Sequence, residues 1–170
     1  MSSVDPPSQV QDLTGQIWIA DPIPVFSGNY SSVHLGYVKG FSSPIAIKII
    51  KAIGDYDTVK RKLLREVTVW STANHRNIYP FYGSANDRAF GPFGALISPW
   101  ARNGDAGKLM SERGQNLIVA KRVELWKGVI DGVAYLHSLN RPIIHGDLKP
   151  TILGSQGYAT LALRYSDVKI

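Results

Sequence analysis

Hydrophobic and polar positions along this 170-residue chain follow two periods, and each change of period marks an element. Residues 32–38 alternate loosely, with Val33, Leu35 and Tyr37 on one side, and read as a strand. A short apolar run at 22–26 and the turn-forming Ser27-Gly28-Asn29 precede it, which predicts strand–turn–strand. Residues 44–50 are apolar except for Lys48, and 94–98 form another apolar run; both predict strands. Residues 57–73 carry Val59, Leu63, Val67 and Trp70 at spacings of four, four and three, one face of a helix with Asp57 as its expected N-cap. Residues 120–138 carry Val123, Trp126, Val129, Ile130, Val133 and Leu136 at helical spacing. A stripe like that is core by default; Gly128 and Gly132 weaken the helix but permit close packing. Asn103-Gly104-Asp105 predicts a turn, with a short helix after it to about residue 113. Nearer the start, Asp12-Leu13-Thr14-Gly15 reads as a turn, and residues 17–19 as a short apolar segment packing from outside. Residues 1–21 are expected to be a disordered or loosely packed lead-in.

Composition changes this picture little. Hydrophobic residues make up 44% and charged residues 19%, a globular balance with enough length for one domain. The net charge of +6 is not concentrated in a long basic run; Lys60-Arg61-Lys62 sits in the helical pattern as a solvated face. No nucleic-acid partner is expected from it. The sequence has no cysteine, which excludes disulfides, thiolate metal sites and cysteine nucleophiles. No charged-then-apolar leader opens it, and the most apolar window, 90–100, is too short and too broken by Gly and Pro to span a bilayer. The expectation is a soluble cytoplasmic protein without a membrane partner.

Three positions carry candidate chemistry. Lys48 lies inside an apolar β-run, where an unpaired ammonium is costly. It is either an edge-strand charge that discourages aggregation or one half of a functional pair. Glu66 lies one turn beyond Leu63, near the edge of the helix's apolar face, and could point inward at Lys48. Finally, Ile143-Ile144-His145-Gly146-Asp147-Leu148-Lys149-Pro150 sets His-x-Asp behind an apolar pair and ahead of Leu-Lys-Pro.

That last run resembles the catalytic loop of protein kinases, and the partners expected upstream occur in order. Ile45-Ala46-Ile47-Lys48 resembles the Val-Ala-Ile-Lys strand, and Glu66 stands where the family's helix supplies the lysine's partner. The hairpin around Gly28 and Val33 resembles the glycine-rich loop, although Phe26 and Ser31 replace its outer glycines. Residues 75–83 resemble the join between helix and fourth strand, with His75 as a structural histidine capping local backbone. Pro99, Trp100 and Ala101 fall at the hinge that meets the adenine, and Ser98 at the gatekeeper position. The resemblance covers residues 22–162 and is to the tyrosine-kinase-like branch, with 163–170 as a tail outside the family pattern. It implies an α+β, protein-kinase-like fold: a β-rich small lobe with one helix, then the first part of a helical lobe. It also implies ATP as phosphoryl donor and a protein hydroxyl as acceptor. Asp147 would accept or orient the acceptor's proton, Lys149 would steady the γ-phosphate, and Lys48 with Glu66 would hold the α and β phosphates.

The departures matter equally. Gly146 replaces the family's Arg, so the loop would not sense a phosphorylated activation segment. Ile152 stands where a magnesium-binding Asn is expected, and Leu163-Arg164-Tyr165 where Asp-Phe-Gly is expected, so no residue is assigned to metal. One residue inserted after Thr151 would restore a family-like Lys-Pro-Thr-x-Ile-Leu run, which suggests a small deletion or a gene-model artefact. The chain stops where the family continues, so the stripe from Val123 to Leu136 would lack its usual cover. Six apolar residues correspond to roughly 10 kcal/mol of lost burial, comparable to a domain's net stability of about 5–15 kcal/mol. The expectations are a catalytically impaired, truncated kinase chain of marginal stability; a pseudokinase-like module binding nucleotide or a partner; and, from His145-Gly146-Asp147, an aminoglycoside- or choline-kinase-like small-molecule phosphotransferase.

Overall fold

A computed structural model of the protein describes residues 10–102 and 116–144. The elements run β1 (Ile17–Ile19), β2 (Phe26–Ser27), β3 (Ser31–Val38), β4 (Ile45–Ile50), α1 (Tyr56–Thr72), β5 (Gly83–Ala85), a single 3-10 turn (Arg88–Phe90), β6 (Ala95–Pro99) and α2 (Val119–Ser138). They fall into two compact units, Met1–Thr72 with Pro80–Trp100, and Ala73–Tyr79 with Ala101–Ile170. No described helix is long and apolar enough to cross a membrane. The short helix expected before residue 113 lies outside the described residues.

In the first unit the strands pair antiparallel in the order β1-β3-β4-β6-β5, and β2 also pairs β3. The β-branched run of β4 sits centrally, with Ile47 opposite His34 on one side and Ile97 on the other. Leu13, Val38, Ile45, Ile47, Ala85, Phe90, Ala95 and Ile97 form the core on this face. In β3 the more buried positions are His34, Gly36 and Val38; Val33, Leu35 and Tyr37, the apolar side of the pattern, are half-buried on the other face. Gly36 is required there, because a Cβ would run into the Ile47 side chain and the Trp18 carbonyl.

Residues 10–20 are a fastened part of this sheet. Leu13 is 0% exposed. Its amide donates to the Ser84 carbonyl at 2.8 Å, and the Ser84 amide donates to the Gln11 carbonyl at 3.0 Å. A tight turn then carries the chain into β1, which pairs with β3 at the opposite end of the sheet. The same short stretch therefore pairs with both ends of the sheet, which curls around the core. Asp12 makes the turn, its carboxylate accepting from the Thr14 amide and hydroxyl, while the Gly15 amide donates to Asp87. At Gly83 φ is +148°, and a Cβ there would strike the Gln11 carbonyl. Only glycine lets this strap lie against β5.

Helix α1 begins at Tyr56, with Asp55 rather than Asp57 as its cap: the Asp55 carboxylate accepts from the Thr58 amide at 2.9 Å. Its most buried residues are Glu66, Val69 and Trp70, with Val59, Leu63 and Val67 half-buried. Thr58, by its hydroxyl and then its amide, holds the Asp55 carboxyl below the usual carboxylate range. A lowered folded-state value means that the cap's contribution is complete above about pH 4 and is lost as the pH falls through that value. Asp55→Ala is therefore expected to melt lower than the parent at pH 7, and the gap should narrow in melts taken toward pH 3.

In the second unit, the rings of His75 and Tyr135 stack at 4.8 Å, and the Tyr135 hydroxyl accepts from the Asn74 amide. His75 Nδ1 accepts from the Asn77 amide at 3.2 Å, a structural bond that ties local backbone. Helix α2 buries Gly128, Gly132 and Leu136. Val123, Trp126 and Ile130 of the apolar stripe, core by default but expected here to lack cover, are 60%, 68% and 63% exposed. The buried line of α2 runs through the two glycines, which allow close approach, to Leu136 of the stripe, with Val129 and Val133 half-buried beside it.

Candidate functional site

The site is built on the face of the sheet opposite the core. Successive β4 side chains alternate, so Ile45 and Ile47 face the core while Ala46 and Lys48 face the other way. Register sets Val33 and Leu96 on either side of Lys48, and Ser98 beside Ala46. Directly opposed residues share a face. Lys48 thus has apolar neighbours on both sides.

Its compensation comes from α1. Glu66 lies on the buried line of the helix, four residues before Trp70, and is only 6% exposed. Lys48 Nζ donates to Glu66 Oε1 at 2.5 Å, and the lysine side chain is 22% exposed. Of the two readings of Lys48 left open by the sequence, the geometry shows the paired one. An ammonium has three N–H donors and Glu66 engages one of them in this contact. Glu66 thus holds the ammonium in place while the lysine side chain stays partly exposed.

Gly28 and Val33 belong to the hairpin over the same strand. The Gly28 amide donates to the Ser31 carbonyl at 2.9 Å and closes a tight turn. The Phe26 ring lies against Gly28, 3.2 Å from where a Cβ would stand, and Gly28 has no unusual torsion. Among the described residues, Lys51, just after the end of β4, also fastens this turn, and no periodicity in the sequence signalled it. Pro99 and Trp100 end the first unit, the Trp100 amide donating to the Pro44 carbonyl at 3.2 Å, and Ala101 opens the second. Asp147 and Lys149 lie outside the described residues. The structure therefore brings Lys48 and Glu66 together, with Val33 beside the lysine and Gly28 in the hairpin's turn.

The protein kinase domain family matches residues 25–162 of this chain. Among curated proteins, the serine/threonine-protein kinase CTR1 of Arabidopsis thaliana is 28% identical over 135 residues, covering 78% of this chain and 16% of its own. The serine/threonine-protein kinase VIK of Arabidopsis thaliana is 31% identical over 124 residues, covering 72% of this chain and 27% of its own. Receptor-interacting serine/threonine-protein kinase 3 of Rattus norvegicus is 28% identical over 147 residues, covering 81% and 28%. The chain spans well under a third of the length of each of these relatives.

Proposed function

The chain belongs to the protein kinase family, and on that premise we propose that it binds ATP at the Lys48 face and serves phosphoryl transfer to a protein serine or threonine, in a form with little turnover. The pairing of Lys48 with the buried Glu66 carries this reading. A triphosphate fits the residues present, since a held, partly exposed ammonium offers donors to the α and β phosphates. Val33 and Ala46, small to medium apolar side chains on the same face, suit an adenine ring. Bound ATP supplies the phosphoryl group for transfer. The resemblance gives Asp147 the acceptor's proton and Lys149 the γ-phosphate, with Pro99, Trp100 and Ala101 meeting the base. The acceptor class follows the relatives, three of which are named serine/threonine kinases.

The low turnover rests on side-chain chemistry. Ile152 and Leu163-Arg164-Tyr165 offer no carboxylate or amide oxygen at the two magnesium positions, so these residues do not fit the metal. Positioning and charge neutralisation do most of the work of phosphoryl transfer, and half of that apparatus is replaced here.

Thermal melts of the chain with ATP test the binding, and a phosphate-transfer assay tests the turnover. ATP at ten times its Kd is expected to add about 1.4 kcal/mol, equally in magnesium and in chelator, and to add nothing in Lys48→Ala. No ATP shift in the parent chain would refute the binding site. Phosphate transfer that vanishes in Asp147→Asn would refute the low turnover.

A further inference from the structure

Lys51 stands immediately after β4, three residues beyond Lys48, and its side chain turns back to the hairpin. There its ammonium donates to the Gly28 carbonyl at 2.7 Å and to Ser27 Oγ at 3.0 Å. Its backbone amide donates to the Tyr30 carbonyl at 2.9 Å. One residue thus holds the turn at residues 27–31 at three points. Register places Ser27 opposite Ser32, on the side of β3 that also carries His34 and Gly36, away from Lys48. Two of these three bonds come from a charged donor, the stronger class. Tyr30 at the tip is 73% exposed, so packing contributes little to holding it.

We propose that Lys51 is a positioning residue for the nucleotide: it fastens the hairpin turn from behind, leaving the Lys48 side of that turn set before phosphates arrive. This rests on the ATP-binding reading above. Lys51 is not assigned the phosphates, because two of its three N–H donors engage Gly28 and Ser27 on the side away from Lys48. Its contribution is pre-organisation: a loop ordered in advance loses less freedom when ligand binds. The turn keeps one of the three glycine positions of the family pattern, and Lys51 grips the carbonyl of that glycine.

The test compares the full chain with Lys51→Met, which keeps the stem and removes the charge, and with Lys51→Arg, which keeps donors. Hydrogen exchange without nucleotide is expected to be on the order of 10-fold faster in Lys51→Met at the amides of Gly28 and Lys51, with the inner β4 amides unchanged. ATP affinity should fall on the order of 10-fold, while adenosine, which has no phosphates, should bind as before; Lys51→Arg should restore most of the loss. Unchanged exchange at Gly28 would overturn the proposal, as would equal losses for ATP and adenosine. ATP binding that Lys51→Met leaves unaltered overturns this role alone. Failure of the parent chain to bind ATP at all overturns the ATP reading, and this role with it.

Discussion

Lys48→Met is expected to abolish ATP binding and to cost more stability than Glu66→Gln. The asymmetry lies in the surroundings of the two groups. Glu66 is 6% exposed, so removing the ammonium strands a carboxylate where water hardly reaches. Breaking a buried pair in that way costs about 3–5 kcal/mol, and the 22% exposure of Lys48 places this case at the low end. In Glu66→Gln the remaining ammonium can turn toward water, and the amide oxygen still accepts its bond. That loss should be about 1 kcal/mol. Urea midpoints at equal m-values would measure both; a larger loss in Glu66→Gln would contradict this account of the pair. The double variant Lys48→Met with Glu66→Leu should recover much of the stability while still failing to bind ATP, because an apolar pair has no desolvation cost to offset.

The second large effect is at Leu13. Leu13→Ala should cost about 2–5 kcal/mol, since the side chain is fully buried and leaves a cavity among Val38, Ile45, Ile47 and Ala85. Against a net stability of about 5–15 kcal/mol, that removes a substantial fraction. The strap's bonds to Ser84 would loosen with it, so the Ser84 amide should lose hydrogen-exchange protection before the amides of β4 do. A loss within about 0.5 kcal/mol, the range of an ordinary surface substitution, would contradict the placement of Leu13 in the core.

Much of the site was legible because it depends on local order. An apolar β-run interrupted by one lysine and a helix with a glutamate near its apolar face left the role of Lys48 open, and the resemblance to kinases named Glu66 as its partner. The depth of Glu66 was not legible: the apolar residues alone drew the face through Val67, whereas the burial of Val69 shifts it toward the glutamate. The helix cap was missed because Asp55 and Asp57 look alike from sequence, and only the bond from Thr58 separates them. On β3, counting apolar side chains favoured Val33 and Leu35, but a curled sheet encloses its core on the side of His34, Gly36 and Val38. Leu13 was read as part of a turn because a single apolar residue among polar ones has no period. Its partner is on β5, too far along the chain for any local pattern to indicate. On α2 the two glycines and Leu136 mark the buried line, so the apolar stripe overlapped it at its C-terminal end only.

The strap has a consequence for the order of events in folding. Thr14 bonds to Asn86 across 72 residues, so residues 11–14, unlike β1 with its partner β3 close by, have no backbone partner until β5 has been made. At roughly 5–20 residues per second, that wait lasts several seconds. The β3–β4 and β5–β6 pairings close over far shorter loops and can form first, since loop-closure entropy grows with separation. The strap is therefore a late event, and until it docks, the β5 edge and the cavity meant for Leu13 stay open together.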